Sequence, residues 1–115
     1  MANEIANEID RVAIFELHAH FCKTLSDANR LLIINELAQS ELSVGELTRR
    51  LGMSQPNASK HLSMLKEHGL VVARREGANI YYRLSDPRIS EAIRLLKEVQ
   101  ADQMEKRRTL TAAHS

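Results

Sequence analysis

Apolar residues recur at steps of three and four along most of this chain, and the step changes once, near residue 70. Ile5, Ile9, Val12, Phe15, Ala19 and Cys22 form a first stripe. It predicts an amphipathic helix starting near residue 9, after a polar segment 1–8 that is expected to be flexible. Leu31, Ile34, Leu37 and Ala38 predict a second helix, capped by Ser26 and running to about Gln39. Val44, Leu47 and Leu51 mark a third. Ser43 and Glu46 before it have capping-box spacing, and Gly52 suits the left-handed position that ends it. Ala58, Leu62 and Leu65 mark a fourth helix, capped by Ser54, tolerant of Pro56 in its first turn and closed by Gly69. The runs LVVARR and IYYRLS then flank the turn EGAN, which predicts a β-hairpin of about five residues per arm. Asp86-Pro87 opens a last helix, with a side-chain cap and proline at its first position. Its stripe of Ile89, Ala92, Ile93, Leu96 and Val99 weakens towards Met104. The remaining TLTAAHS, residues 109–115, reads as a disordered tail. The expected class is mostly α with a β-hairpin, in the order α-α-α-α-β-β-α, with one domain over residues 9–108.

With 115 residues the chain holds one modest core. Aromatic residues make up 3% and tryptophan is absent, so that core must be aliphatic. The formal net charge is only +1, but it is unevenly spread. Seven basic residues face two acidic ones between Arg49 and Arg83, whereas the first twenty residues carry four acidic and one basic. A positive segment of this kind suits a polyanionic partner, and it is equally the make-up of an ordinary solvated face. One cysteine excludes an intrachain disulfide framework. No stretch reads as a signal peptide or a membrane span, so no membrane partner is expected and the cytoplasm is the expected compartment.

The third and fourth helices have the lengths and tight junction of a helix-turn-helix. Gln55, Asn57, Ser59, Lys60 and Ser63 project away from the apolar stripe, which gives an amide- and hydroxyl-rich surface suited to the DNA major groove. Paired capped helices also occur in all-α domains that bind no DNA, so the pair alone does not decide. The hairpin that follows does more. Its arms carry Arg74, Arg75, Tyr81 and Arg83, and a basic hairpin directly after a helix-turn-helix has the form of a wing that reaches the sugar–phosphate backbone. The expected DNA-facing set is Ser54, Gln55, Asn57, Ser59, Lys60 and His61 in the groove, with Arg74, Arg75, Asn79 and Tyr81 on the wing. The apolar stripes of the first and last helices lie outside the helix-turn-helix. A second copy of the chain is the expected cover, and packing of the two stripes within one monomer is the alternative.

The segments FCKTLSDANRLLIINEL, ELSVGELTRRLGMSQPNASKHLSMLKEHGLV and RREGANIYYRLSD resemble, in that order, the ArsR/SmtB family of small repressors. The likeness runs from Phe21 to about Lys97, roughly two thirds of the chain, and its middle segment is close to the family signature throughout. It implies a winged helix-turn-helix homodimer on a palindromic operator near its own promoter, released when an inducer binds. The family's arsenic-type sensor resembles ELCVCDL. This chain has Glu41-Leu42-Ser43-Val44-Gly45-Glu46-Leu47, so Ser43 and Gly45 replace both thiols that soft metals need. The zinc-type site pairs Asp-x-His with a later His-x-x-acid. Asp86 and Asp102 match it, but Arg88 and Val99 stand where the histidines belong, and a guanidinium cannot ligate zinc. Asp86 is then better read as a helix cap.

No cofactor is expected. His18 and Cys22, four residues apart, share a helical face and are the remaining candidates for a metal or an oxidant, against the commoner reading of Cys22 as a small packed hydrophobe. No nucleophile–base arrangement or phosphate loop is present, which excludes the usual enzyme classes. The expectation is a DNA-binding transcriptional regulator, a repressor on a double-stranded operator. The alternative is a winged-helix module that assembles with an acidic protein.

Overall fold

The computed structural model describes the backbone of residues 2–114 and the side chains of residues 7–112. It divides between Ser85 and Asp86 into two units. The first contains α1 (Ala2–Thr24), α2 (Ala28–Leu37), β1 (Leu42–Ser43), α3 (Val44–Leu51), α4 (Gln55–Glu67), β2 (Val71–Glu76) and β3 (Asn79–Leu84). The second is one helix, α5 (Arg88–His114). The order is the expected one with a short strand, β1, added before α3.

Local chemistry accounts for each boundary. Asp27, not Ser26, caps α2: its backbone is extended and its carboxylate accepts from the N–H groups of Asn29 and Arg30 at 2.8 and 3.2 Å. A carboxylate suits the positive end of a helix better than a hydroxyl does, and those bonds, Arg30 first, hold its pKa below the ordinary value. Ser26 instead donates to Lys23 O at the end of α1. The Ser43–Glu46 capping box on α3 is complete, and Gly52 ends that helix at φ 66°. Ser54 Oγ accepts from Asn57 N at the start of α4. At the other end Leu70 N donates to Leu65 O and Gly69 N to Lys66 O, the two bonds of a Schellman motif around Gly69 at φ 76°.

The core of the first unit is aliphatic, as composition requires. Ile33, Ile34 and Leu37 of α2, Leu47 of α3 and Leu62 and Leu65 of α4 meet Leu42, Leu70, Val71 and Leu84. Two expectations for α2 shift. Ile33 is buried, which the stripe omitted, and Ala38 is the exposed C-cap. The contact face of α2 is wider than a narrow stripe because α3, α4 and β3 all pack on it.

Both ends of the chain are more regular than expected. α1 starts at Ala2 rather than near residue 9, so the segment expected to be flexible is helical from residue 2. Alanine and glutamate are strong helix formers, and glutamate is favoured at a helix N-terminus. The side chain of Ile5 lies outside the described residues. α5 likewise continues to His114 through the expected tail. There Thr109 and Thr111 donate to Glu105 O and Arg107 O, bonds that let threonine stay within a helix. Both terminal helices bear exposed large apolar side chains, Ile9, Val12 and Phe15 on one and Leu96, Val99 and Met104 on the other.

Candidate nucleic-acid interface

α4 is amphipathic with an inward arc formed by Ala58, His61, Leu62 and Leu65, the spacing i, i+3, i+4, i+7 of one helical face. The side opposite that arc carries Ser59, Lys60, Ser63 and Glu67, all exposed, with exposed Gln55 and Asn57 in the first turn. Glu67 at the far end of this face would meet phosphates with like charge, so the surface suited to DNA is the first two turns. Ser54, also exposed, uses its oxygen as the cap and keeps its O–H free to donate.

His61 is the correction. It was expected to face the groove, yet it is only 6% exposed. Its Nδ1 lies 3.5 Å from Arg30 Nη1, which is also 3.5 Å from Met64 Sδ, while Arg30 Nε donates to Thr24 O at 2.5 Å. A guanidinium only donates, so Nδ1 is the acceptor. His61 and Arg30 thus tie the recognition helix to the start of α2 and the end of α1. The signal was present in the sequence, since His61 completes the stripe of Ala58, Leu62 and Leu65.

The wing is a two-residue hairpin. Glu76 pairs with Asn79 across Gly77 and Ala78, and Gly77 has φ 61° while no non-glycine residue has positive φ among those described. Positive φ at the first loop residue only is the mark of a type II′ turn. The register separates residues expected on one surface. Val71 pairs with Leu84 and both are buried, so their face is the core face, and it also carries Arg75 opposite Ile80. Arg74 opposite Tyr81, and Asn79, lie on the other face. Neighbours along a strand point to opposite sides, so Arg74 and Arg75 cannot present a single contact surface. Because α4 packs on β2, Arg75 is the wing cation that projects on the side of the recognition helix.

Beneath the wing, β1 pairs with β3 through Leu42–Tyr82 and Ser43–Tyr81. Two residues are too few to show an alternating pattern, which is why the sequence did not reveal this strand. Its position matters, because Ser43 is at once the last residue of β1 and the cap of α3. The wing is therefore hydrogen-bonded to the point where the helix-turn-helix begins.

A family model described as "Bacterial regulatory protein, arsR family" matches residues 27–72, from the cap of α2 into β2. The chain is 38% identical over 78 residues to the biofilm growth-associated repressor of Xylella fastidiosa, with 68% of each chain covered. It is 41% identical over 83 residues to the transcriptional activator HlyU of Vibrio cholerae, covering 70% of this chain and 77% of HlyU. Among solved structures, a homodimeric winged helix-turn-helix DNA-binding domain from Mycobacterium bovis superposes with a TM-score of 0.75 at 35% identity. That match covers 83% of this chain and 88% of the other. The chain belongs to the ArsR family. It is a DNA-binding transcriptional regulator and not an enzyme.

As an ArsR-family protein it departs from the sensor sites named above. Ser43, in a thiol position of the arsenic-type motif, accepts from Glu46 N as the cap of α3. Asp86, in an acid position of the zinc-type motif, accepts from Arg88 N at 2.9 Å and from the Arg88 guanidinium at 2.7 Å. The side-chain bonds of Arg88, then its N–H, hold the Asp86 carboxyl down to about 2. Cys22 is exposed, with its Sγ 3.6 Å from His18 Nε2. Among the described residues no three His, Cys, Asp or Glu side chains converge as a metal site, and no helix is long and apolar enough to cross a membrane.

Proposed function

We propose that this regulator acts as a homodimeric repressor that binds an inverted-repeat operator and represses transcription there, its own promoter included, until a signal releases it. The observation that carries the reading is the exposed, uncharged hydrogen-bonding surface on the first two turns of α4, fixed to a wing by β1. Gln55, Asn57 and Ser59 are the base-reading candidates. Lys60 and Ser54 suit phosphates flanking the groove, and Arg75 suits the backbone beside it. Dimerisation through α1 and α5 is supported by the exposed apolar side chains that each carries and by the homodimeric Mycobacterium bovis domain. Repression is supported by the named activity of the Xylella fastidiosa relative. The cytoplasm, where the DNA lies, is the corresponding compartment.

The release signal is not a thiophilic or zinc ion at the family's usual positions, because Ser43, Gly45, Arg88 and Val99 cannot supply the ligands. If a metal or oxidant acts, it acts through Cys22 with His18 beside it. Sedimentation equilibrium at micromolar concentration tests the assembly. Twice the chain mass is expected, and a mass of one chain would overturn the dimer. Operator release by zinc, cadmium, peroxide and persulfide, compared between the parent and Cys22→Ser, tests the signal. Release of the parent alone would assign sensing to Cys22. Equal behaviour would exclude it.

A further inference from the structure

Arg74 sits where a winged helix would be expected to touch phosphate, yet its guanidinium is engaged on three sides. Nε and Nη2 both donate to Glu41 Oε1, at 3.0 and 2.5 Å, and Nη1 donates to Glu76 Oε2 at 2.7 Å. Its Cζ stands 5.0 Å from the centroid of the Tyr81 ring, within cation–π range. The Glu41 carboxyl is held below its ordinary pKa, first by the Arg74 hydrogen bond. The two carboxylates compensate the Arg74 guanidinium, and Arg83 on the same face also acts on Glu41, so the donors of Arg74 are committed within the protein rather than left for a phosphate.

The register shows what this cluster spans. Tyr81 is the pairing partner of Ser43 on one side and of Arg74 on the other. β3 is the central strand of the sheet, in the order β1-β3-β2, so β1 and β2 do not pair with each other. Arg74 reaches from β2 over the Tyr81 ring to Glu41, the residue immediately before β1. The bridge thus joins the two outer strands across the third, and its far end is two residues from Ser43, which caps α3.

We infer that Arg74 is a positioning residue that straps the wing to the segment opening the helix-turn-helix, and that the DNA charge contact of the wing belongs to Arg75. The inference rests on the DNA-binding reading above and adds a division of labour between neighbouring arginines. Ion pairs this exposed are individually weak, about two- to fivefold in an equilibrium constant, so the strap sets the angle of the wing rather than its folding.

The test uses the full-length protein as Arg74→Ala, Glu41→Gln, the two combined, and Arg75→Ala for comparison. Amide exchange of β2 and β3 is measured without DNA. Affinity is measured against a duplex selected by the parent from a randomised pool, as a function of salt. Arg74→Ala and Glu41→Gln are expected to raise wing exchange and to weaken binding by similar factors, about two- to fivefold per protomer. Neither changes the salt slope, and the double variant loses no more than Arg74→Ala alone. Arg75→Ala alone flattens the slope, by about 0.9 per protomer. A flattened slope for Arg74→Ala, with Glu41→Gln binding as the parent does or tighter, would overturn the inference. So would a double variant whose losses are the sum of the two single ones. If the parent enriches no duplex over random DNA, the DNA-binding reading falls, and the exchange data alone judge the strap: parental exchange in Arg74→Ala would overturn it.

Discussion

His61→Ala separates a groove-facing histidine from an internal one. Two losses follow from its surroundings. Arg30 Nη1 loses an acceptor, but at 3.5 Å the bond is long, and Arg30 Nε keeps Thr24 O. Water also reaches Arg30, which is half-buried, so this loss is about 1 kcal/mol. Removing a ring that is 6% exposed leaves a cavity beside Leu62 and Leu65, and for a ring of this size and polarity that costs about 1–2 kcal/mol. The sum, about 2–3 kcal/mol, corresponds to a fall in melting temperature of about 10 °C for a chain of this length. The melt is followed by circular dichroism at fixed protein concentration, since the midpoint of the proposed dimer would depend on concentration. Specific DNA affinity is measured well below the midpoint, where the variant is folded, and should stay close to that of the parent. Ser59→Ala supplies the converse. Its side chain is exposed, so stability should change by no more than about 0.5 kcal/mol while affinity falls. A His61→Ala protein that melts with the parent and loses specific binding would refute this placement.

Replacing Asn57 by Ala should relax preference at one operator position and cost about 1–3 kcal/mol if it reads a base through two hydrogen bonds. Competition with every single-base operator variant checks this, and an unchanged preference profile would remove Asn57 from the reading set. Replacing Arg75 by Ala should weaken selected and random duplex alike, as titrations at several salt concentrations would show. Asp86 sets a pH dependence at the start of α5. Its folded pKa of about 2 lies below the ordinary 3.8, so its stabilisation is fully present above pH 4 and is lost as pH falls towards 2. Amide exchange in the first turn of α5 should therefore differ between the parent and Asp86→Ala at pH 5–7, and the difference should shrink in acid.

The features legible in the sequence were those whose signal is local. The Ser43–Glu46 box, Gly52, Ser54 and Gly69 define two helices through neighbours three to five residues away, and the structure places each in its expected role. The EGAN turn fixed the wing for the same reason. What escaped depends on distant partners. β1 exists because Tyr81 and Tyr82 offer it a ladder, and nothing in Leu42-Ser43 alone marks a strand. Arg74 and Arg75 look equivalent as a basic pair, and only the pairing with Tyr81 and Ile80 sends them to opposite faces. His61 is polar by type but completes the stripe of Ala58, Leu62 and Leu65, and position prevails over polarity because Arg30 satisfies its ring nitrogen. At the termini, compositions read as loose were nonetheless helical.

Two copies that present their α4 helices to one inverted repeat would protect a symmetric stretch of duplex. Selection from a randomised duplex pool by the parent protein, followed by footprinting of the enriched sites, tests this arrangement most directly. The expected result is an enriched inverted repeat whose half-sites are centred about 10 base pairs apart, one turn of the duplex. Gln55→Ala or Asn57→Ala should alter the preferred base at the same position in both halves. Enrichment of a single asymmetric site, or of no sequence at all, would contradict this arrangement.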